Sequence, residues 1–193
     1  MTKNLLLAGV GGQGILLISR ILTTGLVEQG YDVKVSEIHG MSQRGGAVTS
    51  QIRWSDQRVM SPVIEKGRAD IIVALEEMEA LRNIAYLKPD GKLIVSSERK
   101  ASMTVLTGEE MYAEDISDVL KKAVKDTTLI DAPGLAEKLG ERRASNFILL
   151  GFLIGCVGLT QIDWQDILSH QVKAAFQAVN LRALQMGMEQ SRA

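Results

Sequence analysis

Two short stretches carry residue types that could bind or transform a ligand. In AGVGGQG, residues 8–14, the glycines fall as G-x-G-x-x-G at Gly9, Gly11 and Gly14. An apolar run precedes them and a helical pattern begins at Ile15. In that context Gly9 allows a tight turn, Gly11 lets backbone approach a ligand and Gly14 lets helix pack closely on strand. The backbone N–H groups from Gly11 through Gly12 and Gln13 to Gly14, together with the helix N-terminus, would suit a phosphate. The same glycines equally serve packing alone. The second stretch is SEIHGMSQRGGAVTSQIR, residues 36–53. Arg44 offers a planar fork for phosphate or carboxylate. Ser42 and Gln43 offer neutral hydrogen bonds, Gly45 and Gly46 allow close backbone approach, and Met41 offers adaptable apolar contact. His39 could titrate as a catalytic group or serve as a structural hydrogen-bonding one, and Arg44 could equally pair with Glu37.

The elements that must position these residues follow from periodicity. Residues 4–10, 31–37, 69–75, 92–97 and 127–132 read as strands, and residues 15–29, 76–87, 116–124 and 134–139 as helices. A KPDG turn at 88–91 breaks the fourth strand from its preceding helix. Residues 46–55 and 57–62 flank Ser55-Asp56 and suggest a β-hairpin. Residues 101–114 give a weak signal, and helices fill the remainder, one capped by Asp163 ahead of Trp164. Strands alternating with helices predict an α/β, Rossmann-like fold: a largely parallel sheet with helices on both faces, a β-hairpin insertion after the second strand and a helical C-terminus. Both glycine-bearing turns would then follow parallel strands and meet at the carboxyl edge, where open α/β sheets bind ligands. Glu37, 23 residues after Gly14, stands where a dinucleotide-binding fold keeps its ribose-binding acid. The long polar stretch that follows it argues against that use, because a plain dinucleotide site has no room for such an insertion.

Composition narrows the field. The 193 residues carry a formal net charge of -1, which points to neither nucleic acid nor an anionic membrane. One domain spanning 1–193 is expected. The single cysteine, Cys156, excludes an internal disulfide framework and any iron–sulfur cluster ligated by this chain alone. No other grouping suggests a metal site. None of the three tyrosines has a lysine four residues on, so a Tyr-x-x-x-Lys proton donor is missing. The opening MTKNLLLAGVGG has too short an apolar run for a signal peptide, and a cytoplasmic protein is expected. The longest apolar run, residues 146–160, is shorter than the roughly 18 residues of a membrane span. It predicts a helix buried in the domain or against a partner, with Gly151 and Gly155 sharing a face that admits close backbone approach. Any exposed part of that face is a candidate interface, through which the isolated chain could form a homodimer. Arg142 and Arg143 precede this helix at its positive end, unfavourably for the dipole. They would either face acidic partner groups or be solvated.

The ordered set GVGGQGILLISRIL, VSEIHGMSQRGGAVTSQIR, SPVIEKGRADIIVALEEMEALR and YLKPDGKLIV resembles the gamma-type subunit of 2-oxoacid:ferredoxin oxidoreductases, and within them the indolepyruvate type. The likeness is strong over residues 4–97 and continues through 131–151. It implies a subunit of a larger enzyme that oxidatively decarboxylates a 2-oxoacid, an aryl pyruvate in this type, and passes the acyl group to coenzyme A. Thiamine diphosphate, Mg and iron–sulfur clusters are then expected in a large partner subunit, with ferredoxin as electron acceptor. The residues agree with that division. The Asp-Gly at Asp90-Gly91 lacks the preceding glycine of a thiamine diphosphate motif, so this chain would supply assembly surface and part of a crevice, and would be inactive alone. The resemblance makes coenzyme A the ligand of that crevice, with Gly9, Gly11, Gly12, Gln13, Gly14, Ser42, Gln43, Arg44 and Gly45 as its lining. The competing use of the 36–53 stretch is to pack on the partner and close its active site. Two other classes stay open on the residues: a free-standing NAD(P)- or flavin-binding oxidoreductase, and a binding module that senses an acyl-CoA or nucleotide.

Overall fold

The computed structural model describes residues 2–39 and 45–192. Its first strand, β1 (Lys3–Val10), sets the layering. Leu5 and Leu7 enter one core and Leu6 and Ala8 the other, all at most 1% exposed. A strand apolar on both faces must be covered on both, and full burial of each such leucine is worth about 1.5–3 kcal/mol. One cover holds α1 (Ile15–Glu28), α5 (Ala132–Lys138), α6 (Ser145–Val157), α7 (Trp164–Gln171) and α8 (Ala174–Gln190). The other is built chiefly from α2 (Glu77–Asn83) and α4 (Ile116–Ala123).

The sheet has six strands. With β2 (Asp32–His39), β3 (Ala47–Ser55), β4 (Ala69–Ala74), β5 (Leu87–Ser96) and β6 (Asp126–Ile130), the order is β2-β3-β1-β4-β5-β6. Strands β1, β4, β5 and β6 are parallel neighbours. The hairpin expected between residues 46–55 and 57–62 forms instead between β2 and β3. β3 then pairs antiparallel with β1, from Lys3↔Trp54 to Val10↔Ala47. Both its edges are thereby filled, so residues 57–62 have no free edge to join. Side chains hold that segment and its continuation. Asp32 accepts from the Val59 N–H at 2.7 Å, Gln51 accepts from the Ile64 N–H at 2.6 Å, and Arg53 donates to the carbonyls of Ser61 (2.8 Å) and Val63 (3.2 Å). The 88–91 turn is likewise absorbed into β5. Pairing shifts from Ala69↔Leu87 to Ile71↔Lys92, so the extra residues lie in an irregularity within the strand.

Helix α6 is buried from Asn146 through Ile154. A Cβ on Gly151 would stand 1.9 Å from the carbonyl oxygen of Leu184, and one on Gly187 2.0 Å from that of Ile148. Glycines on two facing helices thus let α6 and α8 approach backbone to backbone. Of the two alternatives, burial within the domain holds: residues 146–154 are buried by the chain itself, with α8 against them, and leave no exposed apolar part there. Among the described residues no helix is long and apolar enough to cross a membrane.

Candidate functional site

β1 and β2 are both antiparallel to β3, so they run the same way and end at one edge. The turn after β1 and the start of β3 are joined there directly, the Gly11 N–H donating to the Gly46 carbonyl at 2.8 Å. Gly45 accepts from the Met103 N–H at 2.7 Å, which brings in the loop after β5 and its short helix α3 (Met103–Leu106). The expected meeting of the two glycine-bearing turns is therefore present. Gly40 to Arg44, which include Met41 and the expected ligand residues Ser42, Gln43 and Arg44, lie outside the described residues, as does the side chain of His39.

The glycine loop is shaped by its own side chain. Gln13 folds back so that its Oε1 accepts from the Val10 N–H at 2.7 Å. Its Nε2 donates to the Leu75 carbonyl (2.9 Å) and to Glu98 (3.1 Å). Both amide hydrogens are committed, so Gln13 ties β1 to β4 and to the loop after β5 and holds none free for a ligand. Gly9 faces Gln13 and Ile15, where a Cβ would come within 2.7 Å and 2.9 Å of their side chains. Gly12 and Gly14 have φ of 94° and 80°, a region costly for any residue with a Cβ. A Cβ on Gly14 would also meet the Asn146 carboxamide at 2.4 Å.

Clefts lie on both sides of this loop. One, of about 400 Å³, is largely apolar and runs along the start of α1, with Ile15, Leu16, Leu17 and Val48 in its walls. The other, of about 500 Å³, is the more polar of the two, with Glu98, Lys100, Glu141, Arg142, Arg143 and Asn146 in its walls beside Leu75 and Leu149. Within it Arg142 pairs with Glu137 and with Glu98 (3.7 Å), and Arg143 pairs with Glu141 (3.4 Å). Of the two expectations for these arginines, solvation holds, since their side chains are largely exposed, and each also has a carboxylate of its own chain nearby. Lys100 has none among the described residues, and its ammonium lies 3.8 Å from where a Cβ on Gly12 would be. Its backbone is anchored, the N–H donating at 3.2 Å to Glu76, which is fully buried and also accepts from Tyr112. Burial, chiefly, pushes the Tyr112 phenol up, and the Glu76 carboxylate adds to it, so this donor stays protonated. Asn146 is 5% exposed and its Oδ1 has no hydrogen-bond partner among the described residues. Such an orphan costs about 1–3 kcal/mol.

Lys100, Asn146 and Glu98 were not legible as site residues from their own spacing. The signal that reaches Lys100 is topological: the loop after every parallel strand of such a sheet opens on the same edge. Asn146 stands out only as a polar residue at the head of an otherwise apolar run.

Two features decide what the edge can bind. An anion at the glycine loop would meet the N–H groups of Gly12 and Gly14, those of Gly11 and Gln13 being bonded to Gly46 and Val10, together with the positive end of a 14-residue helix and the free Lys100 ammonium. A dinucleotide is less well served. β3 stands between β1 and β2, which moves the exposed Glu37 one strand spacing, about 4.8 Å, further from the loop than in a sheet where β1 and β2 are neighbours. A third cleft of about 640 Å³ opens at the opposite edge beside Trp54, Lys88 and Cys156. Of the three lysines that line it, Lys88 pairs with Asp70 (2.5 Å) and Lys92 with Asp126 (2.6 Å), and burial pushes the Cys156 thiol up, away from a reactive thiolate. No group of three or more His, Cys, Asp or Glu among the described residues could hold a metal ion.

Known proteins match this arrangement along nearly its whole length. Indolepyruvate oxidoreductase subunit IorB of Archaeoglobus fulgidus is 33% identical over 197 residues, covering 99% of this chain and 96% of that one. The keto/oxoacid ferredoxin oxidoreductase gamma subunit of Geobacter sulfurreducens superposes with a TM-score of 0.74 at 23% identity, over 100% of this chain and 97% of that one. A 2-oxoglutarate:ferredoxin oxidoreductase from Magnetococcus marinus, whose structure holds 2-oxoglutarate, coenzyme A and succinyl-CoA, superposes with a TM-score of 0.78 at 18% identity, over 99% of this chain but 31% of the longer one. The model of the pyruvate ferredoxin/flavodoxin oxidoreductase family matches residues 4–190, and the chain belongs to that family.

Proposed function

We propose that this chain is the small subunit of a cytoplasmic 2-oxoacid:ferredoxin oxidoreductase of the indolepyruvate type, a single gamma-type domain that joins a large thiamine diphosphate- and iron–sulfur-bearing subunit. The full-length likeness to an indolepyruvate oxidoreductase subunit supports the substrate class. The complex would convert an aryl pyruvate and coenzyme A to an aryl-acetyl-CoA and carbon dioxide, with ferredoxin taking the electrons. The chemistry of thiamine diphosphate, Mg and the clusters belongs to the partner. With a single cysteine and no cluster of metal-ligating side chains among the described residues, this chain does not fit those groups. Its own work is to bind and orient coenzyme A. The observation that carries this reading is the Gly11–Gly46 hydrogen bond at 2.8 Å, which joins the glycine loop to the residue ahead of β3 at the carboxyl edge. The bound coenzyme A of the Magnetococcus marinus relative agrees with that ligand class. Leu16, Ile38, Met103 and Leu106 are exposed by 37%, 56%, 41% and 68% around the same edge, which favours it as the face the large subunit covers.

The test is co-expression with the large subunit, followed by 2-oxoacid-dependent reduction of a viologen dye with and without coenzyme A. In that complex Arg44→Ala should raise the KM for coenzyme A by about tenfold, the loss of one charge-assisted contact, and leave the 2-oxoacid KM unchanged. A wild-type coenzyme A dependence in the variant contradicts the role of Arg44. Turnover by this chain alone contradicts the division of labour.

A further inference from the structure

We propose that Lys100 is a phosphate-binding residue of this crevice: its ammonium and the backbone N–H groups of Gly12 and Gly14 grip the diphosphate of the nucleotide from opposite sides, beside Asn146. The inference rests on the coenzyme A reading for the identity of the nucleotide, but its own basis is separate. Four observations converge on one spot. First, the Lys100 ammonium lies against Gly12, 3.8 Å from the Cβ that residue lacks, so a side chain at position 12 would fill the gap between cation and loop. Second, the other cations of the polar cleft are engaged by carboxylates of this chain: Arg142 by Glu137 and Glu98, Arg143 by Glu141. Glu98 is further engaged by Gln13. Lys100 is the cation of that wall with no carboxylate partner among the described residues. Third, its position is fixed from behind. Its backbone N–H is bonded to the fully buried Glu76, whose same oxygen also takes the Tyr112 hydroxyl. Fourth, Asn146 lines the cleft with its carboxamide nitrogen against Gly14 and is 5% exposed, and its carboxamide oxygen has no partner among the described residues. A water held with the ligand would donate to that oxygen; the diphosphate, itself an acceptor, would not.

A diphosphate fits this geometry better than a carboxylate. It presents charged oxygens on two sides, so the helix end and loop amides can take one side while an ammonium takes the other. Lysine suits that task as a point charge on a flexible stem. No residue in the 36–53 stretch is needed for this contact. It is an addition to the Arg44 contact proposed above.

The experiment uses the full chain co-purified with its large subunit, and calorimetric binding of coenzyme A, inorganic pyrophosphate and pantetheine. Lys100→Met should weaken coenzyme A and pyrophosphate by about tenfold each and leave pantetheine, which has no phosphate, within about twofold. Lys100→Arg, which keeps the charge, should stay within about threefold of wild type. Unchanged coenzyme A and pyrophosphate affinity in Lys100→Met overturns the proposal. An equal loss of pantetheine binding does so too, since it would mean a distorted crevice. If the wild type binds pyrophosphate through Lys100 but not coenzyme A, the phosphate grip stands and the coenzyme A reading falls. If it binds neither, both fall.

Discussion

Gln13 holds the glycine loop in shape through hydrogen bonds to the Val10 N–H, the Leu75 carbonyl and Glu98. Gln13→Ala would leave the Val10 amide and Leu75 carbonyl without their partner. It should therefore lower stability by about 2 kcal/mol, read as a shift in the urea midpoint at constant slope. An unshifted midpoint would mean that solvent replaces the carboxamide at no cost. At this scale the sequence was legible where backbone geometry demands a residue type. Gly14 adopts a left-handed φ and a Cβ on Gly9 would meet Gln13 and Ile15, so these two positions of the G-x-G-x-x-G spacing marked real constraints; Gly12, also left-handed, lies between the motif positions. Gln13 sat inside the motif with the chemistry of a ligand contact, and only its three-dimensional partners reveal a brace. Lys100 and Asn146 come from distant parts of the chain and meet the loop through folding, which no local spacing encodes.

At the scale of elements, β1, α1, β4 and β6 follow directly from their apolar periodicity. The hairpin did not, because residues 46–55 and 57–62 both alternate, and alternation alone does not say which edge a strand will find. β3 found β2 on one side and β1 on the other. Asp32 then fastens the leftover segment, with its carboxyl held below the ordinary value of 3.8 by the Lys34 side chain first and the Val59 N–H second. A group whose folded pKa is depressed contributes stability that is present above 3.8 and is lost as pH falls through the folded value. Asp32→Asn should therefore lower the urea midpoint at neutral pH, with the deficit shrinking toward zero as wild-type Asp32 becomes protonated. A deficit independent of pH would assign the effect to geometry and not to the charge. Helix α6 shows the complementary limit. Its composition announced burial, but the choice between a partner's surface and α8 depended on Gly187, 36 residues beyond Gly151, standing opposite it on the facing helix.

For the molecule as a whole, one inserted antiparallel strand reorganises the carboxyl edge. It separates β2 from β1, removes Glu37 from the place of a ribose-binding acid, and delivers Gly45 and Gly46 to the glycine loop and the loop after β5. Of that stretch Gly45 was legible as a backbone requirement, since its φ is 85°. The polar cleft beyond Gly12 was not, since its walls come from the ends of β5 and α5 and the head of α6. The central claim, that this edge is where the chain holds coenzyme A, is tested most directly by hydrogen–deuterium exchange on the assembled complex with and without coenzyme A. Slower exchange on ligand addition is predicted in peptides covering residues 10–18, 45–48 and 98–104. Protection confined to the opposite edge, around Trp54, Lys88 and Cys156, or no change anywhere in this chain while the large subunit is protected, would contradict it.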